Sequence, residues 1–163
     1  MTNPMKVVPE ETAVGTGVSD PAPVAEELAG VLADTYRLIF KTHACHWNVE
    51  GPLFHPIHVL TESQYEEMFA AADVLAERIR ALGRLAPSRF AELSQSRVED
   101  FEDGSSARDM VAALAADHEA LARRLHGLID LAGDHGDPVT EDLATARSAF
   151  HEKAAWMLRA TAK

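Results

Sequence analysis

Five side chains in this sequence stand out, by type and spacing together, as candidates to hold a metal ion: His46, His58, Glu62, Asp73 and Glu77. His58 and Glu62 are four residues apart, as are Asp73 and Glu77. On a helix, at about 100° per residue, His58, Glu62, Tyr65, Phe69 and Asp73 cover less than a quarter turn, with Glu77 at its edge. Neutral imidazole and carboxylate together suit iron and similar divalent ions, whereas structural zinc would call for thiolate clusters. Singly, each residue also has a plain structural reading. A histidine on an apolar stripe is commonly a hydrogen-bonded core residue. An Asp/Glu pair beside Arg78 and Arg80 is commonly solvated helix surface.

Geometry restricts the metal reading further. His58 and Asp73 lie fifteen residues apart on one helix, about 22 Å along its axis, too far to share an ion within a chain. They can share one if the helix packs antiparallel against its own copy, across a two-fold axis near Tyr65–Glu66. His58 of each chain then faces Asp73 of the other, and the dimer holds two identical sites. A self-contained di-iron centre of the Glu-x-x-His type is not expected, since no glutamate is followed three positions later by histidine.

The elements that must position these residues are helical. The chain of 163 residues is 47% hydrophobic but only 6% aromatic, and its recurring Ala and Leu favour helix over strand. Leu28, Leu32, Thr35, Ile39, Thr42 and His46 form one stripe of a helix A that starts near Pro23 and ends at Gly51-Pro52. Helix B is expected from His55-Pro56 to about Gly83, with Ile57, Thr61, Met68, Ala72, Leu75, Ile79 and Leu82 inward. A short helix capped by Ser88 follows, then the acidic turn-rich run EDFEDGSS. Helix C is expected over 105–132, with Val111, Leu114, His118, Leu121, Leu125 and Leu128 on one face, stopped by Gly133 and Gly136. Asp137-Pro138 opens helix D, which continues to about Ala160. The expected architecture is all-α: a four-helix bundle over residues 23–163, with a short extra helix in the B–C connection. Residues 1–22, with Pro4, Pro9, Pro21, Gly15 and Gly17 and no apolar period, read as a mobile N-terminal tail.

Bulk properties narrow the function classes. The net charge of −11 opposes non-specific attraction to nucleic acid or anionic membrane and suits the attraction of cations. No apolar run is long enough to span a bilayer. A single cysteine, Cys45, and an N-terminus without an apolar signal core lead us to expect a reducing, cytoplasmic setting.

The same residues carry a resemblance. KTHACHWNVEGPLFHPIHVLTESQYEEMFAAADVLAERIRALG, residues 41–83, resembles the signature of the Dps family, the mini-ferritins named for DNA protection during starvation. The HWN-x-x-G-P-x-F block, a histidine twelve residues after the HWN histidine, and D-x-x-A-E-R all stand at the family spacing. TEDLATARSAFHEKAAWMLRA resembles the family's last helix, and the likeness extends over about residues 24–160. It implies a ferritin-like fold in which His46 and His58 of one subunit, with Asp73 and Glu77 of its two-fold mate, are ferroxidase ligands. Glu62 would be a further ligand or a carboxylate behind the ligands. Trp47 matches the tryptophan beside the centre, able to give up electrons, and a packing role for it stays open. Asp142 matches an aspartate of a three-fold iron pore, which Asp134 and Asp137 could join, although Asp137 also reads as the helix D cap. The resemblance further implies a hollow shell of twelve subunits. There Fe(II) is oxidised to Fe(III), preferably by hydrogen peroxide, and stored as ferric mineral. Family members that compact DNA do so through lysine-rich tails. Here residues 1–22 set only Lys6 against Glu10, Glu11 and Asp20, so DNA binding through the tail is not expected. His118 reads as a satisfied core histidine, His43 as a packing residue, and His55 as a helper at the start of helix B.

Overall fold

The computed structural model describes residues 4–163, of which 5–163 include the side chains. Four long helices and one short one follow in order: α1 (Ala22–Asn48), α2 (Phe54–Ala81), α3 (Phe90–Leu93), α4 (Ala107–Asp134) and α5 (Pro138–Thr161), preceded by a 3-10 turn at Pro4–Lys6. The described residues contain no strand. α1 packs along α2 and α4 along α5, and α1 also lies against α4, closing a four-helix bundle. Every residue of the expected stripes on α1, α2 and α4 is buried.

Local chemistry sets the boundaries. Ser106 starts α4: its hydroxyl accepts from the Asp109 N–H while the Asp109 carboxylate accepts from the Ser106 N–H, a reciprocal cap. Asp137 caps α5, its carboxylate accepting the Thr140 N–H just ahead of Pro138. Two expected signals are corrected. The cap position of α3 belongs to Arg89, not Ser88, because the Glu92 carboxylate takes the N–H groups of both Ser88 and Arg89. Gly133 does not stop α4, which continues to Asp134, and the chain turns at Gly136 with φ +66°.

Long-range polar contacts fasten the connections. Asp34, buried on α1, accepts from the Ser96 hydroxyl, the Arg97 N–H and the Arg124 guanidinium, tying the link before α4 to the bundle. The N-terminal segment lies against the C-terminal ends of α2 and α4. Val14 N–H donates to Ala81 O, Arg80 to Glu10 O, Ser19 N–H to His135 O, and the His135 ring back to Ser19 O. The part of the expected tail at residues 1–3 lies outside the described residues.

Candidate metal centre

The antiparallel packing of α1 on α2 brings the last turns of α1 beside the first turns of α2, and with them His46 beside His58. Their rings stack at 3.7 Å between centroids, inclined by 18°. Each ring donates from Nδ1 to the other residue's backbone carbonyl, both at 2.9 Å. A carbonyl can only accept, so both Nδ1 atoms carry protons and, in the neutral rings, both Nε2 atoms keep free lone pairs. Orienting the ligand nitrogen by a hydrogen bond on the opposite side of the ring is how metal-binding histidines are generally held.

Aromatic rings surround the pair. Phe54 stacks on His58 at 5.1 Å, and Tyr65 stands edge-on to His46 at 5.3 Å. His43 lies between Tyr65, at 3.8 Å, and Trp47, stacked at 4.9 Å and nearly parallel. Burial, and secondarily the neighbouring His46, lower the pKa of His43, keeping it uncharged near neutrality. Partial burial, with the carboxylates Glu62 and Glu66, raises the pKa of Tyr65 and holds it as the phenol.

The structure does not bring the expected carboxylates to these histidines within one chain. Glu62, Asp73 and Glu77 are exposed along the outer face of α2, and no three His, Cys, Asp or Glu among the described residues converge on a metal-sized point. The same face exposes Val59 and Phe69, and the adjoining face of α1 exposes Tyr36, Phe40 and Trp47, with Phe69 63% and Trp47 60% accessible. Large apolar side chains in such a row mark a surface that another protein covers.

At the other end of α2, the three pore candidates separate. Asp134 and Asp142 are exposed. Asp137 is turned fully inward, where Arg78 Nη2 donates to its carboxylate at 2.6 Å and Arg78 Nε donates to Thr140 Oγ1. Burial would raise its pKa, but the hydrogen bonds from Arg78 and Thr140 override that and hold the carboxyl below its usual range. Its structural role is the cap, coupled to α2.

One constellation is absent from the sequence reading. His118 on α4 and His151 on α5 meet in the core, Nδ1 to Nδ1 at 2.8 Å. Burial pushes the pKa of His118 down to about 3 and that of His151 well below its ordinary value, with Arg147 adding repulsion to both. His118 lies in the core as expected, its Nδ1 bonded to His151, while its Nε2 has no protein partner among the described residues. The signal for His151 was present in the 4, 3, 4, 3 spacing of Ala144, Ser148, His151, Ala155 and Leu158, all buried.

Residues 25–163 match the ferritin-like domain. The chain is 42% identical over 132 residues to a low temperature-induced protein of Nostoc, covering 78% of this chain and 73% of that one. It is 36% identical over 138 residues to DNA protection during starvation protein 2 of Bacillus anthracis, covering 84% and 94% respectively. Among solved structures, Dps from Staphylococcus aureus superposes with a TM-score of 0.83 at 34% identity, covering 89% of this chain and 98% of that one.

Proposed function

This chain belongs to the Dps family of ferritin-like proteins, and on that premise we propose that it oxidises Fe(II) at centres shared between two subunits and stores the ferric product inside a shell of twelve. His46 and His58 of one subunit and Asp73 and Glu77 of its two-fold mate hold the iron. Glu62 is an additional carboxylate beside them. The observation that carries this reading is the crossed pair of Nδ1–carbonyl hydrogen bonds, which presents two Nε2 lone pairs at the edge of an exposed apolar face. Covering that face with an antiparallel copy of α2 brings the missing carboxylates to the histidines and buries Phe69 and its neighbours.

Iron is the substrate. Two Fe(II) each give up one electron to one hydrogen peroxide, whose O–O bond breaks to give two oxygens at the oxidation level of water. The chain's contribution is placement. Carboxylates favour Fe(III) over Fe(II), oriented imidazoles fix where the ions sit, and Trp47, stacked on His43, is an oxidisable ring beside them. Asp134 and Asp142, exposed where α4 gives way to α5, provide negative charge for iron entry through a pore in a protein of net charge −11. A cytoplasmic location fits the single buried cysteine.

Complementation tests the shared site. One chain carries His46→Ala and His58→Ala, another Asp73→Ala and Glu77→Ala, and each alone should oxidise Fe(II) poorly. In a mixed dimer one site collects both defects and the other collects none. Random pairing makes half the dimers mixed, so co-expression should restore about a quarter of the sites. Mixed shells, verified by mass, that stay at the level of the single parents would refute the two-fold site.

A further inference from the structure

Away from the inter-subunit face, the middle of the bundle contains a polar layer with one residue from each long helix: Thr42 on α1, Gln64 on α2, His118 on α4 and His151 on α5. All four are buried, at 0%, 3%, 0% and 1% exposure. Contacts between their neighbours set them at one level. Lys41, next to Thr42, bonds Asp117, next to His118, at 2.6 Å. Tyr65, next to Gln64, touches the ring of His43, next to Thr42. Glu67, three residues on from Gln64, pairs with Arg147, one turn before His151. His118 and His151 are joined directly.

This layer contains all the buried side-chain nitrogens and oxygens that lack a partner among the described residues: Thr42 Oγ1, Gln64 Oε1, Gln64 Nε2 and His118 Nε2. Buried amide, hydroxyl and imidazole groups left unbonded are costly, and they are rare in folded proteins. Four such atoms on three helices at one level form a ready set of donors and acceptors. We propose that this layer is an internal hydration site, in which bound water bridges Thr42, Gln64 and His118. A buried water needs two to four polar partners, and the layer offers that many.

The donor set selects a neutral guest. It contains no carboxylate: Glu67 of α2 is engaged by Arg147 and Asp117 of α4 by Lys41. Arg147 acts repulsively on both imidazoles, so a cation entering the layer would feel the same field. The two Nδ1 atoms already satisfy each other and are not free to chelate. Solvent has a route in: a cleft of about 290 Å³ opens between α2 and α5, lined in part by Gln64 and Phe150, and the Phe150 ring stands edge-on to His118 at 6.0 Å.

Two measurements on the intact assembly decide the matter. A crystal structure at about 1.5 Å or better should show water within hydrogen-bonding distance of at least two of Thr42 Oγ1, the Gln64 amide and His118 Nε2. A dry layer, or anomalous scattering from a metal or halide there, overturns the proposal. Independently, Gln64→Met keeps the side-chain volume and removes both amide atoms. If water bridges the layer, this change strips it of partners and Tm falls by about 2–4 °C. If the layer is dry, it removes two unsatisfied atoms and Tm rises, which also overturns the proposal.

Discussion

The buried histidine pair makes the bundle sensitive to acid in a way that can be calculated. His118 has an ordinary pKa of 6.5 that folding lowers to about 3. Above pH 6.5 the ring is neutral in the folded and unfolded chain alike, and its contribution to stability is complete. Below pH 6.5 the unfolded chain takes up a proton that the folded chain refuses, so stability falls through the window from 6.5 down to about 3. At 1.36 kcal/mol per unit, His118 alone withdraws about 2 kcal/mol per chain at pH 5, against a typical total of about 5–15 kcal/mol. His151 shifts in the same direction, so the pair withdraws more than His118 does alone. The charged group acting on both rings is Arg147, which lies on α5 and pairs with Glu67 of α2. The assay is thermal denaturation from pH 7.5 to 5.0 of the wild type and of the double variant His118→Leu, His151→Leu. Subtracting one from the other cancels every other titrating group and the assembly term. Relative to the variant, the wild type should lose about 4–8 °C in Tm over that range, with the loss beginning near pH 6.5. Parallel curves would refute the reasoning, and so would a difference that opens only above pH 6.5.

Three further outcomes follow from individual contacts. Arg78→Met leaves the Asp137 carboxylate buried without its cation and should cost about 3 kcal/mol; Arg78→Met with Asp137→Asn should cost clearly less than the two single changes summed, as read by a double-mutant cycle. Asp142→Asn should slow iron uptake with assembly intact, most visibly at low salt, and uptake equal to wild type there would remove Asp142 from the pore. The purified protein should not retard duplex DNA at about 0.15 M salt, because Lys6 is the one cation within residues 1–22. A stable complex at that salt, lost on deleting residues 1–22, would contradict this.

What the sequence revealed about the fold depended on how local each determinant is. The stripe from Leu28 to His46 and the stripe from Ile57 to Leu82 are periodic facts, and burial follows them residue by residue. Gly133 misleads because glycine is commonly a stop, whereas here it lies inside α4. A β-carbon at that position would meet only the end of the Glu141 side chain, at 3.0 Å from Oε1. Ser88 misleads because the competing acceptor, Glu92, lies inside the next turn. The docking of Val14 on Ala81 and Ser19 on His135, and the hub at Asp34, join segments about 60 or more residues apart and have no local signature. The candidate ligands were legible by type and spacing, and the resemblance placed His46 with His58, but the crossed hydrogen bonds between them needed the α1–α2 packing to be seen.

The two histidine pairs explain why type and burial alone cannot identify a site. His46, His118 and His151 all occupy buried stripe positions, so periodicity treats them alike. They differ in where their helices stop. The last four carbonyls of a helix have no partner within it, and in α1, which ends at Asn48, His46 is among those four residues. Its carbonyl is therefore free to accept the His58 Nδ1–H, and the His58 carbonyl accepts in return. That exchange uses both Nδ1 protons and leaves both Nε2 atoms outside it. His118 and His151 sit in mid-helix on α4 and α5, and there each ring turns to the other. One Nδ1 then donates and the other accepts, next to Arg147, in a pair suited to staying neutral. The turn at Gly51-Pro52, which stops α1 just after HWN, is thus part of what holds His46 and His58 in their crossed pair.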